Sequence, residues 1–307
     1  MVNINKNMTK QEIKFFAKKY SPAMFFDILN YSYRNIIVKP LSALNQNKLK
    51  SFTKETSIDF DFAGAKFKII VNPKNGTVDN EIFLQGVYEP SFLKVIKANL
   101  NIGDTYIDIG ANIGQHSLFA SRIVGDTGKV IAFEPVSKIY KQFKESVTLN
   151  NFENIKIHNL ACGEEEKEMF IYMTESNMGG SSLVFGSDTR DKEKIHVVTA
   201  DSILKAEPRV DFIKIDVEGY EYEALLGLTE TLKTHHPKIM LEYSYDGYKE
   251  VGMNNDKKIL DLLFALDYSL YDIENNDKQV PKLENNFDYT YFDDNKIIQT
   301  NLLCLQV

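Results

Sequence analysis

The sequence predicts an α/β protein built on a mostly parallel sheet, and three observations carry that prediction. Short apolar runs alternate with stretches of helical spacing from Tyr106 onward, the pattern of successive βαβ units. Two of those runs, ending at Ile109 and Ile215, empty into acidic, glycine-bearing turns, DIGANIG and DVEGYE, at the strand ends where open α/β sheets seat their ligands. At 307 residues and 43% hydrophobic, the chain can bury a full core.

Residues 1–56 are rich in Lys and Asn, with helical spacing at Ile13, Phe16, Ala17 and Tyr20 and again at Phe25, Phe26 and Leu29. They read as a small helical extension capping a main domain over 57–307. From Ile58 to Val71 the apolar period becomes two, with Gly64 at the turn, which predicts a β-hairpin. Pro90 opens a helix over Ser91 to Leu100. Strand Tyr106 to Ile109, helix Gln115 to Val124, strand Lys129 to Phe133, helix Lys138 to Leu149 and strand Lys156 to Leu160 follow. The alternation then breaks into an extended arm, Glu164 to Met173, and a polar loop over Thr174 to Lys194. Its Gly179-Gly180-Ser181-Ser182 segment reads either as a solvated flap or as a lid offering two hydroxyls to a substrate. Alternation resumes with strand Val210 to Ile215, helix Tyr222 to Leu232, strand Lys238 to Tyr243, helix Asp256 to Leu266 and strand Ser269 to Ile273. A final strand, Leu302 to Leu305, ends the chain inside the sheet.

The chemistry concentrates in two places. In DIGANIG, Gly110 and Gly114 permit positive φ and close approach of a ligand, and the helix that follows turns its N–H groups toward an anion. Glu134 lies twenty positions after Gly114, the distance at which an acid in a βαβ unit meets the two hydroxyls of a ribose. The middle glycine of a dinucleotide fingerprint is absent, Asn112 standing between the two glycines, and Asp108 would repel a pyrophosphate while suiting a sulfonium or ammonium. S-adenosylmethionine satisfies these conditions, with its carboxylate at the helix end, its cationic centre near Asp108 and its ribose on Glu134. Leu160 and Ala161 would then lie over the adenine. Glu89, just before the Pro90 helix, reads equally as a ligand of this site or as an acid favoured by the helix dipole. The second place is the end of strand Val210 to Ile215, where Asp216 and Glu218 stand side by side. Neighbouring carboxylates in such a position serve a cation, a proton or a hydrogen-bonding substrate.

Lys and Arg number 36 against 43 Asp and Glu, a net charge of −7, which argues against a nucleic-acid partner. No apolar run reaches the length of a membrane span and no signal peptide is evident, so a cytoplasmic protein is expected. Cys162 and Cys304 sit in apolar strands with no metal-binding spacing, so buried free thiols are expected and no resident metal. The hairpin edge over Ile58 to Val71 is open to two readings, pairing in a homodimer or coverage within the monomer.

Taken together, GVYEP (Gly86 to Pro90), DIGANIG (Asp108 to Gly114), FEP (Phe133 to Pro135), MGGSSL (Met178 to Leu183), DFIKIDVEGYE (Asp211 to Glu221) and NLLCL (Asn301 to Leu305) resemble the FkbM family of S-adenosylmethionine-dependent methyltransferases. The resemblance spans about residues 80–307. It implies a Rossmann-like methyltransferase fold, a seven-stranded, mostly parallel sheet with an antiparallel last strand and helices on both faces. It also implies a cofactor site of Glu89, Asp108, Gly110, Ala111, Asn112, Gly114, Glu134 and Pro135, with Asp216 and Glu218 beside the transferred methyl group. Family members mostly methylate hydroxyls on sugars of glycans and on secondary metabolites. Catalysis is accordingly assigned to Glu218 or Asp216 as base, with His116 a further candidate that carries no family role, because relatives often have an aromatic residue there. Ser181, Ser182 and Glu242 are the expected substrate-binding groups. A divalent cation on Asp216, Glu218 and Glu242, a nicotinamide-dependent oxidoreductase and a non-catalytic cofactor-binding subunit are the rival readings. Acceptor choice is expected in the Thr174 to Lys194 loop, the N-terminal extension and the Gly247 to Asn255 segment.

Overall fold

The computed structural model describes residues 55–73, 75–174, 177–182, 192–244, 255–295 and 299–306. The helical patches expected before residue 55, and nearly all of the Gly247 to Asn255 segment, lie outside these residues. The first described element is the predicted hairpin, β1 (Thr56–Phe62) and β2 (Ala65–Val71). The two pair antiparallel from Thr56 opposite Val71 to Phe62 opposite Ala65. The period-two residues Phe60, Phe67, Ile69 and Val71 are buried, and the rings of Phe60 and Phe67 stack 4.2 Å apart.

Two helices follow, α1 (Thr77–Gln85) and α2 (Pro90–Asn99). Only the second was legible in the sequence. In TVDNEIFLQ the buried residues are Ile82, Phe83 and an acid, Asp79, so no apolar stripe announces the helix. Asp79 is held by tertiary contacts, accepting from the Asn72 N–H (2.5 Å) and from Gln142 Nε2 (2.6 Å).

The main sheet is laid down by β3 (Thr105–Ile109), α3 (Gln115–Val124), β4 (Lys129–Phe133), α4 (Ser137–Leu149) and β5 (Ile155–His158). The chain then leaves it for a smaller sheet of β6 (Ala161–Cys162), β7 (Lys167–Thr174), β8 (Asn177–Ser182) and β9 (Lys192–Val198), ordered β6-β9-β7-β8. The expected strand through Leu160 stops at His158, because the Asn159 amide turns to donate to the carbonyls of Glu134 and Pro135. Strands β8 and β9 occupy part of what the sequence presents as a polar loop.

The return to the main sheet runs through α5 (Ala200–Leu204), β10 (Phe212–Ile215), α6 (Glu221–Leu226), α7 (Thr229–His235) and β11 (Lys238–Ser244). It continues with α8 (Asn255–Ala265), β12 (Tyr268–Asp272), β13 (Lys278–Gln279), α9 (Thr290–Asp294) and β14 (Gln299–Gln306). The single helix expected over Tyr222 to Leu232 is two helices. Gly227 sits at the break, where a Cβ would run into the Gly163 carbonyl.

The main sheet has the order β13-β12-β14-β11-β10-β3-β4-β5. Strands β11, β10, β3, β4 and β5 are mutually parallel, and β14 inserts antiparallel to both β11 and β12. The sheet thus has eight strands where seven were expected; the two-residue β13 pairs antiparallel with β12 at the edge. One face of β3, with Ile107 and Ile109, packs into a core shared with Ala224, Leu225, Leu228 and Leu263. The other face directs Asp108 toward α3, where Ser117 meets it. Helix α4 also covers the outer edge of β2: Ser146 and Asn150 accept from the N–H groups of Ile70 and Lys68, and Gln142 donates to the Ile70 carbonyl. Strand β3 is flanked by β4 on one side and β10 on the other, so the connections diverge there and open a crevice at the strand ends. Among the described residues, no helix is long and apolar enough to cross a membrane.

Candidate active site

The crevice is bounded by the loop after β3 and the ends of β4, β10 and β11. Gly110, Asn112 and Gly114 all take positive φ, at 79°, 52° and 86°. Glycine is required twice: a Cβ on Gly110 would enter the Asp216 carbonyl, and one on Gly114 would enter the Phe143 ring. This chain path turns the Asn112 N–H to Glu134 Oε2 at 2.9 Å, while the Val136 N–H reaches Oε1 at 2.8 Å. Burial pushes the Glu134 carboxyl up to about 7, against the two N–H groups that favour its ionised form. Each oxygen keeps a further lone pair for a ligand hydroxyl, so Glu134 is aimed before anything binds. Next to it Pro135, Val136, Ile139, Leu160, Ala161 and Ile171 form an apolar wall suited to a flat heteroaromatic ring.

Lys214 joins this loop to the acidic end of the cleft. Its ammonium is buried, 3.1 Å from the Gly110 carbonyl, 3.4 Å from Asp108 Oδ1 and 3.3 Å from Asp216 Oδ2. Burial alone would lower its pKa, but the negative charges of Asp216, Asp108 and Glu89 outweigh that and hold it above the ordinary lysine value. The arrangement gives Asp108, expected near the ligand's cationic centre, a cation within the protein. Fully buried, it accepts from Ser117 Oγ at 2.6 Å, faces Lys214 and is not among the residues lining the cleft. Its charge is spent on the protein's own cation. The signal for Lys214 was present in the sequence, a lysine within the apolar strand FIKI.

At the acidic end Asp216, Glu218 and Glu242 all line the cleft. Glu218 has φ 52°, a left-handed backbone. Burial, with Asp216 and Glu221 nearby, raises its carboxyl to about 7. Glu242, accepting from Gln299 Nε2, is raised to about 9 by burial and by Asp216, Glu221 and Glu218. Among the described residues, no group of three His, Cys, Asp or Glu side chains is placed to hold a metal ion.

His116 also lines the cleft. It is buried against Phe92, ring centroids 5.6 Å apart, and burial followed by the charge of Lys214 keeps it neutral by depressing its pKa well below the usual value. Glu89 stands beside it, 4.0 Å from carboxylate to imidazole, in a left-handed conformation before Pro90. Tyr88, which the sequence did not single out, lines the cleft because Gln115 clasps its backbone, accepting from its N–H and donating to its carbonyl, both at 2.8 Å. Ala111 lines the cleft, whereas Gly114 sits behind it against Phe143. Ser181 and Ser182 end β8, and their side chains lie outside the described residues.

A crevice at the strand ends of a mostly parallel sheet, lined by the hydrogen-bonded Glu134 and by Asp216, Glu218 and Glu242, belongs to a methyltransferase-like α/β fold. Residues 108–270 match the methyltransferase FkbM domain, over half of the chain, and the chain belongs to this family. Methyltransferase 1 of Beauveria bassiana (strain ARSEF 2860) is 26% identical over 145 residues, covering 40% of this chain and 58% of that protein. Methyltransferase sdnD of Sordaria araneosa is 29% identical over 167 residues, covering 43% of this chain and 63% of that protein. The matched segments thus span less than two thirds of either relative. Among solved structures, methyltransferase FkbM from Methylobacillus flagellatus KT aligns at 18% identity over 72% of this chain and 46% of that one, with a TM-score of 0.42.

Proposed function

We propose that this protein is an S-adenosylmethionine-dependent methyltransferase that acts on a hydroxyl of a saccharide or secondary metabolite. The observation that carries the reading is the pairing, within one cleft, of the preset Glu134 with the Asp216 and Glu218 carboxylates at the end of β10. The residues present fit the adenosyl cofactor. Glu134 retains lone pairs for two adjacent hydroxyls, the apolar wall around Leu160 and Ala161 accepts a purine, and the missing Cβ of Gly110 lets the loop close on Asp216. When bound, S-adenosylmethionine supplies an electrophilic methyl group on a sulfonium.

The protein's part is positioning and proton transfer. A hydroxyl is a poor nucleophile at neutral pH, and a carboxylate within reach that takes its proton contributes on the order of 10²- to 10⁴-fold. Glu218, raised to about 7, suits the role of base because it exchanges a proton near neutrality. Asp216 is fixed by Lys214 and supplies the negative field that keeps Glu218 basic. Glu242, carrying a proton at neutral pH, donates to and orients the acceptor.

Calorimetric titration with S-adenosylmethionine, S-adenosylhomocysteine and NADH, on the wild type and Glu134→Ala, tests the cofactor. Binding of the two adenosyl compounds, lost in the variant and absent for NADH, supports the reading; NADH binding in their place removes it. For the reaction, E218Q should keep S-adenosylhomocysteine affinity while lowering turnover roughly 10²-fold or more. Undiminished turnover would take the base assignment away.

A further inference from the structure

Helix α4 begins without a cap of its own. Val136, the residue before it, offers no side-chain acceptor, and the first turn holds no acid, so the N–H groups there need a partner from elsewhere. Glu193 supplies one from 56 residues further along the chain. Its Oε1 accepts from the Ser137 N–H at 3.1 Å and from the Ser137 hydroxyl. A carboxylate at this place also faces the positive end of a 13-residue helix.

The contact matters because of what lies one residue earlier. The Val136 N–H is the donor that fixes Glu134 Oε1, at 2.8 Å, so the peptide units on both sides of Val136 are held, one by Glu134 and the other by Glu193. Asn159 completes the clamp, its amide donating to the Glu134 and Pro135 carbonyls at 2.9 and 2.8 Å. A turn fixed at its carbonyls by Asn159 and at its exit by Glu193 leaves the Val136 N–H one direction in which to point. Glu193 itself belongs to β9, where it stands opposite Ile171 of β7, a residue of the cleft wall. Register partners share a face of a sheet. One face of the smaller sheet therefore meets the cleft through Ile171 and the turn after β4 through Glu193.

We propose that Glu193 is a positioning residue for the ribose acid, and that through β9 the smaller sheet sets the aim of Glu134. The inference rests on the cofactor reading above, in which Glu134 receives a ribose, and adds to it a residue that is not among those lining the cleft. By sequence Glu193 falls in the Thr174 to Lys194 stretch expected to choose the acceptor. Its contacts tie it to the ribose acid.

Calorimetry with S-adenosylhomocysteine and its 2′,3′-dideoxyribose analogue, on the wild type, E193A and E193Q, separates the aim of Glu134 from general integrity of the fold. E193A should weaken S-adenosylhomocysteine by roughly tenfold, the scale of one hydrogen bond to a charged group, and the dideoxy analogue by less than about twofold. E193Q keeps an oxygen for the Ser137 donors and should bind S-adenosylhomocysteine within about threefold of the wild type. In the ligand-free protein, amide hydrogen exchange at Val136, followed by NMR, should quicken by about tenfold or more in E193A and by less in E193Q. Equal losses for both ligands in E193A would show a general loosening of the fold and overturn the proposal. Unchanged S-adenosylhomocysteine affinity in E193A, or unchanged exchange at Val136, would overturn it as well. A wild type that binds neither ligand, or both alike, removes the ribose role of Glu134 and this proposal with it; that failure is distinct because it shows before residue 193 is altered.

Discussion

Replacing Lys214 with Met tests whether one buried ammonium organises the site. At an effective dielectric constant of about 20, a unit charge 3.3–3.4 Å from each of two carboxylates interacts with each by roughly 5 kcal/mol, most of it offset by desolvation. The net worth of the pair is therefore small, but removing one partner is a different matter. K214M leaves Asp108, fully buried, with a charge that among the described residues only the Ser117 hydroxyl addresses. Breaking a buried pair in this way costs about 3–5 kcal/mol, against a total stability of roughly 5–15 kcal/mol for a typical domain. Urea unfolding followed by circular dichroism should show K214M folded but with its stability lowered by that amount. K214M/D108N, which removes the stranded charge, should regain at least half. Affinity for S-adenosylhomocysteine should fall in both, because Gly110 loses the donor at its carbonyl. A K214M cost below about 1 kcal/mol, or a double variant no more stable than the single one, would refute the view that Asp108 serves as counterion rather than ligand contact.

Two further outcomes follow from the same geometry. Gly110→Ala places a methyl group into the Asp216 carbonyl at φ 79°, so S-adenosylhomocysteine affinity should drop roughly a hundredfold by calorimetry, with a clear loss of melting temperature; near-normal binding would mean the loop is not closed on β10. Glu242 is raised from an ordinary 4.5 to about 9, so its contribution to stability is fully present below pH 4.5 and is lost as pH rises toward 9. E242Q keeps an acceptor for Gln299 and removes the titration. Its melting temperature should match the wild type near pH 4.5 and exceed it at pH 8.5 by several degrees or more, each pH unit between the two values being worth up to about 1.4 kcal/mol; a difference that does not change with pH would count against it.

The sequence by itself determined the parts whose causes are local. The hairpin, the β3-loop-α3 unit, β4 and the turn after β10 were legible because period-two and helical spacing, Pro90 and the glycines act over a few residues. The twenty-residue interval to Glu134 and the run of motifs from GVYEP to NLLCL indicated a nucleoside site and its family. Tertiary structure decided the rest. Helix α1 carries no apolar stripe and is held by Asp79 and Gln142 across 63 residues of chain. The helix after β10 breaks at Gly227 because a distant carbonyl, that of Gly163, occupies the place of its side chain. Asp108 looked like a ligand contact because its partner, Lys214, lies more than a hundred residues later and meets it only through the register of two parallel strands. The same holds for the approach of Glu89 to His116, 4.0 Å apart, which exists because α2 and α3 pack together. Charges find their counterions in three dimensions, so which carboxylate faces a ligand and which faces the protein was decided by packing.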